Sequence, residues 1–322
     1  MNNKKKALIL GITGQDGFYL TNFLHNKGYQ IIGTSRNINK KKAILSHKNY
    51  LRNDIEIINL NPLDNYQIFK IINKFRPNEI YNLCGHTSVN FSFQQPVDTI
   101  HSIVEVTLNI LESIRKIDCN IRFYNAGSSE CFGNMAKFSA NESTPFCPIS
   151  PYGVAKTCSS NLVSCYRDAY NLKCCTGILF NHESPLRSPK FVTQKIISAA
   201  YQISLGSKQK LELGMINIIR DWGWAPDYVE AMYLMLQKKN MEDYVIGTGK
   251  SVSLKCFVSK VFKYFNLEWE KHVKINKALF RPNEIMVSKS DPSHAIKNLG
   301  WSAKLDIDKI ISHMCKNIGQ KL

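Results

Sequence analysis

The sequence has no apolar run approaching the ~18 residues that a membrane span needs. Its early stretch Ala7–Leu10, although it follows Lys4–Lys6, stops at Gly11, too soon for the core of a signal peptide. A first β-strand is the reading there, and no membrane partner is expected. The ten cysteines include no CxxC pair and no zinc-like spacing. That excludes a metal knuckle and a disulfide scaffold, and leaves reduced thiols in a cytoplasmic protein with no metal. Acid is also scarce: 25 Asp and Glu stand against 42 Lys and Arg, a formal charge of +17. The lysines are scattered apart from short runs at Lys4–Lys6 and Lys40–Lys42, and no RNA- or DNA-binding motif accompanies them, so nucleic acid is not expected as a partner. A bias toward Lys, Asn and Ile explains part of the excess, and an anionic small ligand would use some of it. Internal repeats and low-complexity linkers are absent as well.

What is present is a long alternation of strands and helices. With 322 residues and 44% hydrophobic content, the chain can build one large α/β domain and a smaller one. Ala7–Gly11 reads as a buried strand, followed by a turn with Gly11, Gly14 and Gly17 and a helix that ends at Gly28. Glycines so placed let a pyrophosphate approach backbone N–H groups at a helix N-terminus, so a dinucleotide site is expected. Strands follow at 29–34, 55–60, 79–83, 121–125 and 174–180, with helices at 64–75, 98–117 and 151–171 between them. The pattern predicts a doubly wound parallel, Rossmann-type sheet. Beyond Phe180 it changes. Asn181–Lys190 and Arg220–Pro226 read as loops, with helices at 191–205, 227–236 and 254–265, a short strand at 244–246 and a helical C-terminus. The expected division is a dinucleotide-binding domain over 1–182, with return segments near 217–250, and a smaller, mainly C-terminal substrate domain over 183–216 and 251–322. At the end of the second strand, where NAD sites usually place an acid, the chain has Ser35-Arg36-Asn37. Arginine suits a 2′-phosphate, which favours NADP over NAD.

The chemistry is concentrated between Ala126 and Lys156, which reads AGSSECFG, a Pro-punctuated loop, and SPYGVAK. Tyr152 and Lys156 share one face of a helix that starts at Pro151. An ammonium beneath a phenol is expected to lower a pKa that starts near ~10. Such a tyrosine can accept a proton from a sugar hydroxyl while hydride leaves the same carbon. Ser128 and Glu130 lie just upstream, on a turn after an apolar strand.

GITGQDG, YxxxK, NHESP with FVTQKI, RDWG followed by DYVEAM, and RPNE occur in that order. Together they resemble the GDP-mannose 4,6-dehydratase family of the extended short-chain dehydrogenase/reductase superfamily, over nearly the whole chain. The resemblance implies a lyase of nucleotide-sugar metabolism with an internal NADP hydride cycle: oxidation at sugar carbon 4, loss of water across carbons 5 and 6, and return of the hydride to carbon 6. It implies Tyr152 as base for the carbon-4 hydroxyl and Lys156 as its partner and a grip on the nicotinamide ribose. Glu130 is implied as base for the carbon-5 proton, and Ser128 as a helper of the departing hydroxyl. Cofactor contacts are implied at Gly11, Ile12, Thr13, Gly14, Gln15, Asp16, Gly17, Arg36, Leu83, His182 and Arg187. GDP-sugar contacts are implied at Asn181, Lys195, Arg220, Arg281 and Glu284. Each alone has a plainer reading, such as a solvated helix lysine for Lys195 or a surface acid for Glu284. Relatives pair through helices like those at 98–117 and 151–171 and form tetramers through the loop after strand two, which implies a homodimer or homotetramer.

Departures from the family pattern are Ser128 for Thr, Asn61 for Asp, Asp98 for Tyr, Leu186 for Arg, Trp224 for His and His86 for Gln. His86, Leu186 and Trp224 fall in segments expected to border the cofactor and sugar. The nearest alternative is a relative acting on GDP-manno-heptose. A nucleotide-sugar epimerase, a simple reductase or an inactive nucleotide-binding homologue fits less well, since Glu130, Tyr152, Lys156 and NHESP are all in place.

Overall fold

The computed structural model describes residues 4–36 and 55–318. The loop after strand two, expected to join tetramers, lies outside them, as does the lysine run at 40–42. Strands β1 (Lys6–Leu10), β2 (Gln30–Ser35), β3 (Glu56–Asn59), β4 (Glu79–Asn82), β5 (Arg122–Ala126) and β6 (Cys174–Leu179) come first. They are followed by β7 (Asn181–Glu183), β8 (Leu211–Leu213), β9 (Ile219–Trp224), β10 (Tyr244–Ile246), β11 (Ser251–Ser253) and β12 (Val273–Ile275). Seven of these form one parallel sheet in the order β10-β6-β5-β4-β1-β2-β3. The order reverses around β1, and the crevice past that strand's carboxyl end is where open α/β sheets bind ligands. Ala7, Leu8, Ile9 and Leu10 are wholly buried because helices cover both faces of a parallel sheet.

The helices are α1 (Gln15–Asn26), α2 (Asn65–Phe75), α3 (Val89–Gln94), α4 (Pro96–Ile100), α5 (Val106–Ile117) and α6 (Pro151–Tyr170). Then come α7 (Val192–Ser204), α8 (Ala225–Gln237), α9 (Leu254–Tyr264), α10 (Ser293–Leu299) and α11 (Ile307–Lys316). The single helix expected at 98–117 is α4 and α5 joined by a π-helical turn, His101–Glu105. α6 starts where the sequence predicts it. The Ser150 hydroxyl accepts from Gly153 N at 3.1 Å, Pro151 occupies the first turn, and Asn171 ends the helix in the left-handed region at φ 52°.

A second apolar core gathers Ile196, Ile197 and Ala200 of α7, Phe257, Val258 and Val261 of α9, and Ile310, Ile311 and Met314 of α11. Trp222 of β9 joins it.

Two expected loops are ordered. The NHES segment opens with β7, and RDWGW is β9, which pairs with both β7 and β11. Gly and Pro signalled loop in the sequence but serve packing here. A Cβ on Gly223 would lie 2.3 Å from the Tyr228 ring, and Pro226 sits in the first turn of α8, where the missing N–H costs nothing. Alternation along β9 then divides the motif: Arg220 and Asp221 project to opposite faces.

Candidate active site

The glycine loop is shaped by close backbone contact. Gly11 has φ +85° and a Cβ there would meet Leu83 O at 2.8 Å, and one on Gly17 would meet Gly11 O at 2.5 Å. Gly14 is exposed and caps α1 without a side-chain hydrogen bond, so the first-turn N–H groups have no side-chain partner and face outward. A cradle that side chains would fill, at an uncapped helix N-terminus, fits a dinucleotide pyrophosphate. Thr13 Oγ1 lies 3.3 Å from Ser35 Oγ at the end of β2, next to exposed Arg36. Ile12 differs from its neighbours: it is wholly buried, and a Cβ on Gly33 would meet its side chain at 2.2 Å. Its side chain anchors the loop in the core.

The loop is clasped by the NHES segment. Asp16 meets the His182 ring, with Nε2 at 3.0 and 3.1 Å from its two oxygens, while His182 Nδ1 lies 2.8 Å from Phe180 O. Both ring nitrogens face acceptors, which calls for an imidazolium. The ring also stacks on Tyr228 at 4.6 Å. Gln15 donates to His182 O at 3.2 Å and accepts from the Ser184 hydroxyl at 2.7 Å. Burial works against both charges of the pair, but each partner overrides it: His182 titrates above its ordinary value and Asp16 below its own.

The sign of the pH dependence follows. The stability contributed through His182 is complete below its unfolded value of about 6.5 and is lost as pH rises through the raised folded value. That contributed through Asp16 is complete above its unfolded value of about 3.9 and is lost as pH falls through the lowered one. The melting-temperature gap between wild type and Asp16→Asn should therefore be widest between pH ~4 and ~6.5 and narrow above. A gap that does not change with pH would contradict a charged pair.

Arg187 and Leu83 stand at the edges of this clasp. The Arg187 guanidinium lies 3.7 Å from the centre of the Phe191 ring. Its Nε is 3.3 Å from Glu183, an ion pair too poorly aligned to be a hydrogen bond. Leu83 is half-buried, its carbonyl against Gly11.

Around the reaction centre, Ser128 follows β5 and its hydroxyl accepts from Glu130 N at 3.3 Å, capping a 3-10 turn over Ser129–Phe132. The Tyr152 phenol lies within electrostatic reach of both Ser128 and Glu130. The three groups expected to act on the sugar thus converge. Lys156 Nζ lies 5.9 Å from the Tyr152 ring centre and donates to Ala126 O at 2.6 Å. The expected depression of the phenol is not seen. Burial pushes Tyr152 up and Glu130 adds to the rise, while Ser128 only partly offsets it. Lys156 is itself pushed below its ordinary value by burial.

Glu130 is raised above the usual carboxylate range by burial, while Arg281 and Arg220 draw it down and Glu284 pushes it up. A carboxylate so balanced suits a general base. Glu284 Oε1 accepts from Arg220 at 2.8 Å and from Arg281 at 3.1 Å, so Arg220 and a pair 61 and 64 positions further along the chain form one ion triad beside Glu130. Lys195 is placed differently: its Nζ donates to Glu212 O at 2.7 Å. Asn181 is half-buried in β7, opposite Trp222.

Sequence reasoning passed over Asp221, which organises this side of the site. Wholly buried, it accepts from Thr248 N at 3.0 Å, Thr248 Oγ1 at 2.6 Å, Gly249 N at 3.0 Å and the Ser290 hydroxyl. The segment carrying Ser290 bonds to Ile219 of β9 on one side, and to Met135 and Ala140, downstream of Glu130, on the other. Arg220, Glu284 and the Glu130 loop are thereby tied to one strap. No local pattern marks Asp221: RDWG reads as a loop, and the partners Thr248, Gly249 and Ser290 lie far along the chain. Among the departures, Asn61 is engaged with its own turn through Leu63 N at 3.2 Å. The Leu186 amide donates to Ser184 Oγ at 3.1 Å. Trp224, in a segment expected to border the cofactor and sugar, packs its side chain on His313 at 5.4 Å against the second core.

No helix among the described residues is long and apolar enough to cross a membrane. A family model described as GDP-mannose 4,6 dehydratase matches residues 8–314. GDP-mannose 4,6 dehydratase 1 of Arabidopsis thaliana is 40% identical over 321 aligned residues, covering 97% of this chain and 89% of that protein. The GDP-mannose 4,6-dehydratase of Yersinia enterocolitica is 35% identical, with 96% and 92% covered. Among solved structures, UDP-glucose 4-epimerase of Thermotoga maritima superposes with a TM-score of 0.86 at 20% identity, covering 98% of this chain and 99% of that one. DesIV of Streptomyces venezuelae, a dTDP-glucose 4,6-dehydratase determined with NAD bound, gives 0.85 at 16% identity and 98% of each chain. These two share the fold.

Proposed function

The chain belongs to the GDP-mannose 4,6-dehydratase family, and we propose that it converts a GDP-manno-configured sugar, GDP-mannose first, to its GDP-4-keto-6-deoxy product. The observation that carries this reading is the convergence of Ser128, Glu130 and Tyr152 beside the Arg220–Glu284–Arg281 triad. A proton acceptor for carbon 4, a second for carbon 5 and cations for a diphosphate are what a 4,6-dehydration needs.

When bound, an oxidised nicotinamide supplies the hydride acceptor and a positive charge that favours the phenolate. Tyr152 takes the proton of the carbon-4 hydroxyl, with the Ser128 hydroxyl beside it in the same cluster. The ketone left at carbon 4 acidifies carbon 5, whose proton passes to Glu130. The hydroxyl of carbon 6 departs as water with that proton, and Ser128 is placed to steady it. Arg220 and Arg281 hold the diphosphate, and Lys195 and Asn181 border the nucleotide. Gly11, Thr13, Gly14, Gln15 and Gly17 cradle the pyrophosphate; Asp16, His182 and Arg187 brace that cradle.

NADP is the form we assign, since Arg36 stands where NAD-selective sites carry an acid. We assign the second apolar core to a substrate domain over 183–216 and 251–322, beside a dinucleotide-binding domain over 1–182 with return segments near 217–250. Val97, Ile100 and Leu108 on one helical run and Val154 and Tyr170 on α6 expose apolar side chains. We assign that face to a second copy of the chain. Among the described residues all ten cysteines are unpaired, in keeping with the cytoplasm.

The test is mass spectrometry of products from a panel of GDP-, UDP- and dTDP-sugars, with the cofactor released by heat identified in parallel. Loss of water from a GDP-manno sugar with NADP(H) in the released fraction is expected. Activity confined to a UDP- or dTDP-sugar would overturn the substrate assignment.

A further inference from the structure

β2 and β4 flank β1 in the sheet, so Arg36, just past β2, and His86, shortly past β4, stand at the same carboxyl edge on either side of the glycine loop. His86 is half-buried and well fixed. Its backbone N donates to Ser102 Oγ at 3.3 Å, and its ring lies 4.5 Å from that of Phe91. Ser102 belongs to the π-helical turn and donates in its turn to Thr99 O at 3.1 Å. The interruption between α4 and α5 therefore has a local consequence: it presents a hydroxyl that pins the loop carrying His86. π-turns are frequent at functional sites.

Two charged side chains act on the imidazole, the guanidinium of Arg36 and the carboxylate of Asp98, an exposed residue of α4. A cation within electrostatic reach of a second, proton-dependent cation at the same sheet edge is an arrangement that an added dianion would favour. Resting on the NADP reading above, we propose that His86 is a second contact for the 2′-phosphate of NADP, one that acts only when its ring is protonated, so that cofactor selectivity depends on pH.

The charges support this. Burial holds His86 below its ordinary value, Arg36 holds it lower still and Asp98 opposes them. In the free protein the ring is therefore mostly neutral at pH 7. A phosphate monoester carries about −1.5 to −2 at pH 7, with a second pKa near 6, and lying between ring and guanidinium it would reverse the repulsion. Binding should then take up a proton. Two titrations oppose each other: falling pH strengthens the His86 contact, whereas protonation of the phosphate below about 6 weakens it. Cys84, also near Arg36, is pushed up to about 11 by burial and does not titrate in this window.

Calorimetric binding of adenosine 2′,5′-bisphosphate and 5′-AMP between pH 6 and 8.5 tests the inference without turnover. For the bisphosphate we expect affinity to weaken several-fold from pH 6.5 to 7.5, bounded by ~10-fold per pH unit for one linked proton. Proton uptake should show as a dependence on buffer ionisation enthalpy, with neither effect for 5′-AMP. His86→Gln should keep a preference for the bisphosphate, supplied by Arg36, but lose its pH slope above 6.5. The buffer measurement on wild type stands even if that variant folds poorly. Equal affinity for both ligands at every pH would overturn the NADP reading. A preference for the bisphosphate with no proton uptake, or with a slope unchanged in His86→Gln, would overturn the role of His86 and leave the NADP reading intact.

Discussion

Tyr152→Phe should abolish the first oxidation: mixed with GDP-mannose, the loaded enzyme should show no reduced-nicotinamide absorbance and turn over roughly 10²–10⁴-fold more slowly. The substitution removes one buried hydroxyl and leaves the ring, which packs against Ile103 and Ala155, so the fold should survive. Substrate affinity should stay within a few-fold, because the diphosphate is assigned to Arg220 and Arg281, which the substitution leaves in place. The effect is large because the phenol is the group assigned to take the carbon-4 proton. A rate within about tenfold of wild type would remove Tyr152 from the chemistry.

Glu130→Gln should separate the steps. The amide keeps the shape but cannot take the carbon-5 proton, so oxidation at carbon 4 proceeds and elimination stalls. Rapid mixing should show reduced nicotinamide rising toward one equivalent and persisting, with a 4-keto sugar recovered on quenching and dehydration slowed roughly 10²–10⁴-fold. In wild type the elimination should weaken as pH falls through the raised value of Glu130, where the base becomes protonated. Dehydration at a near-normal rate would show that another group takes the proton.

Local signals made much of this legible before any coordinates. Ser150-Pro151 announces the start of α6, and the spacing of Tyr152 and Lys156 puts both on its inner face. The glycines after an apolar strand announce the loop that Gly11 and Gly17 then pack so tightly. Contacts far apart in the chain were not legible. Asp16 reads as a loop acid until His182 meets it at 3.0 Å. RDWGW reads as a loop because its glycine and following proline look like breakers, whereas Tyr228 packs over the one and α8 begins at the other. The pKa of Tyr152 was misjudged for the same reason. Spacing places a lysine near the phenol, but only the fold shows its ammonium bonded to Ala126 O and the phenol buried. Ser128 and Glu130 were found by position on the strand end, yet their link to Arg220 and Arg281 depends on a strap whose anchor, Asp221, no local pattern reveals.

The central claim is an internal hydride cycle on one sugar. It is tested most directly with GDP-mannose carrying deuterium at carbon 4, incubated with the purified protein and no added cofactor. The account predicts a GDP-4-keto-6-deoxy product with deuterium on carbon 6 and no net accumulation of reduced nicotinamide over many turnovers. A product without deuterium at carbon 6, or one formed only with stoichiometric consumption of oxidised cofactor, would contradict it.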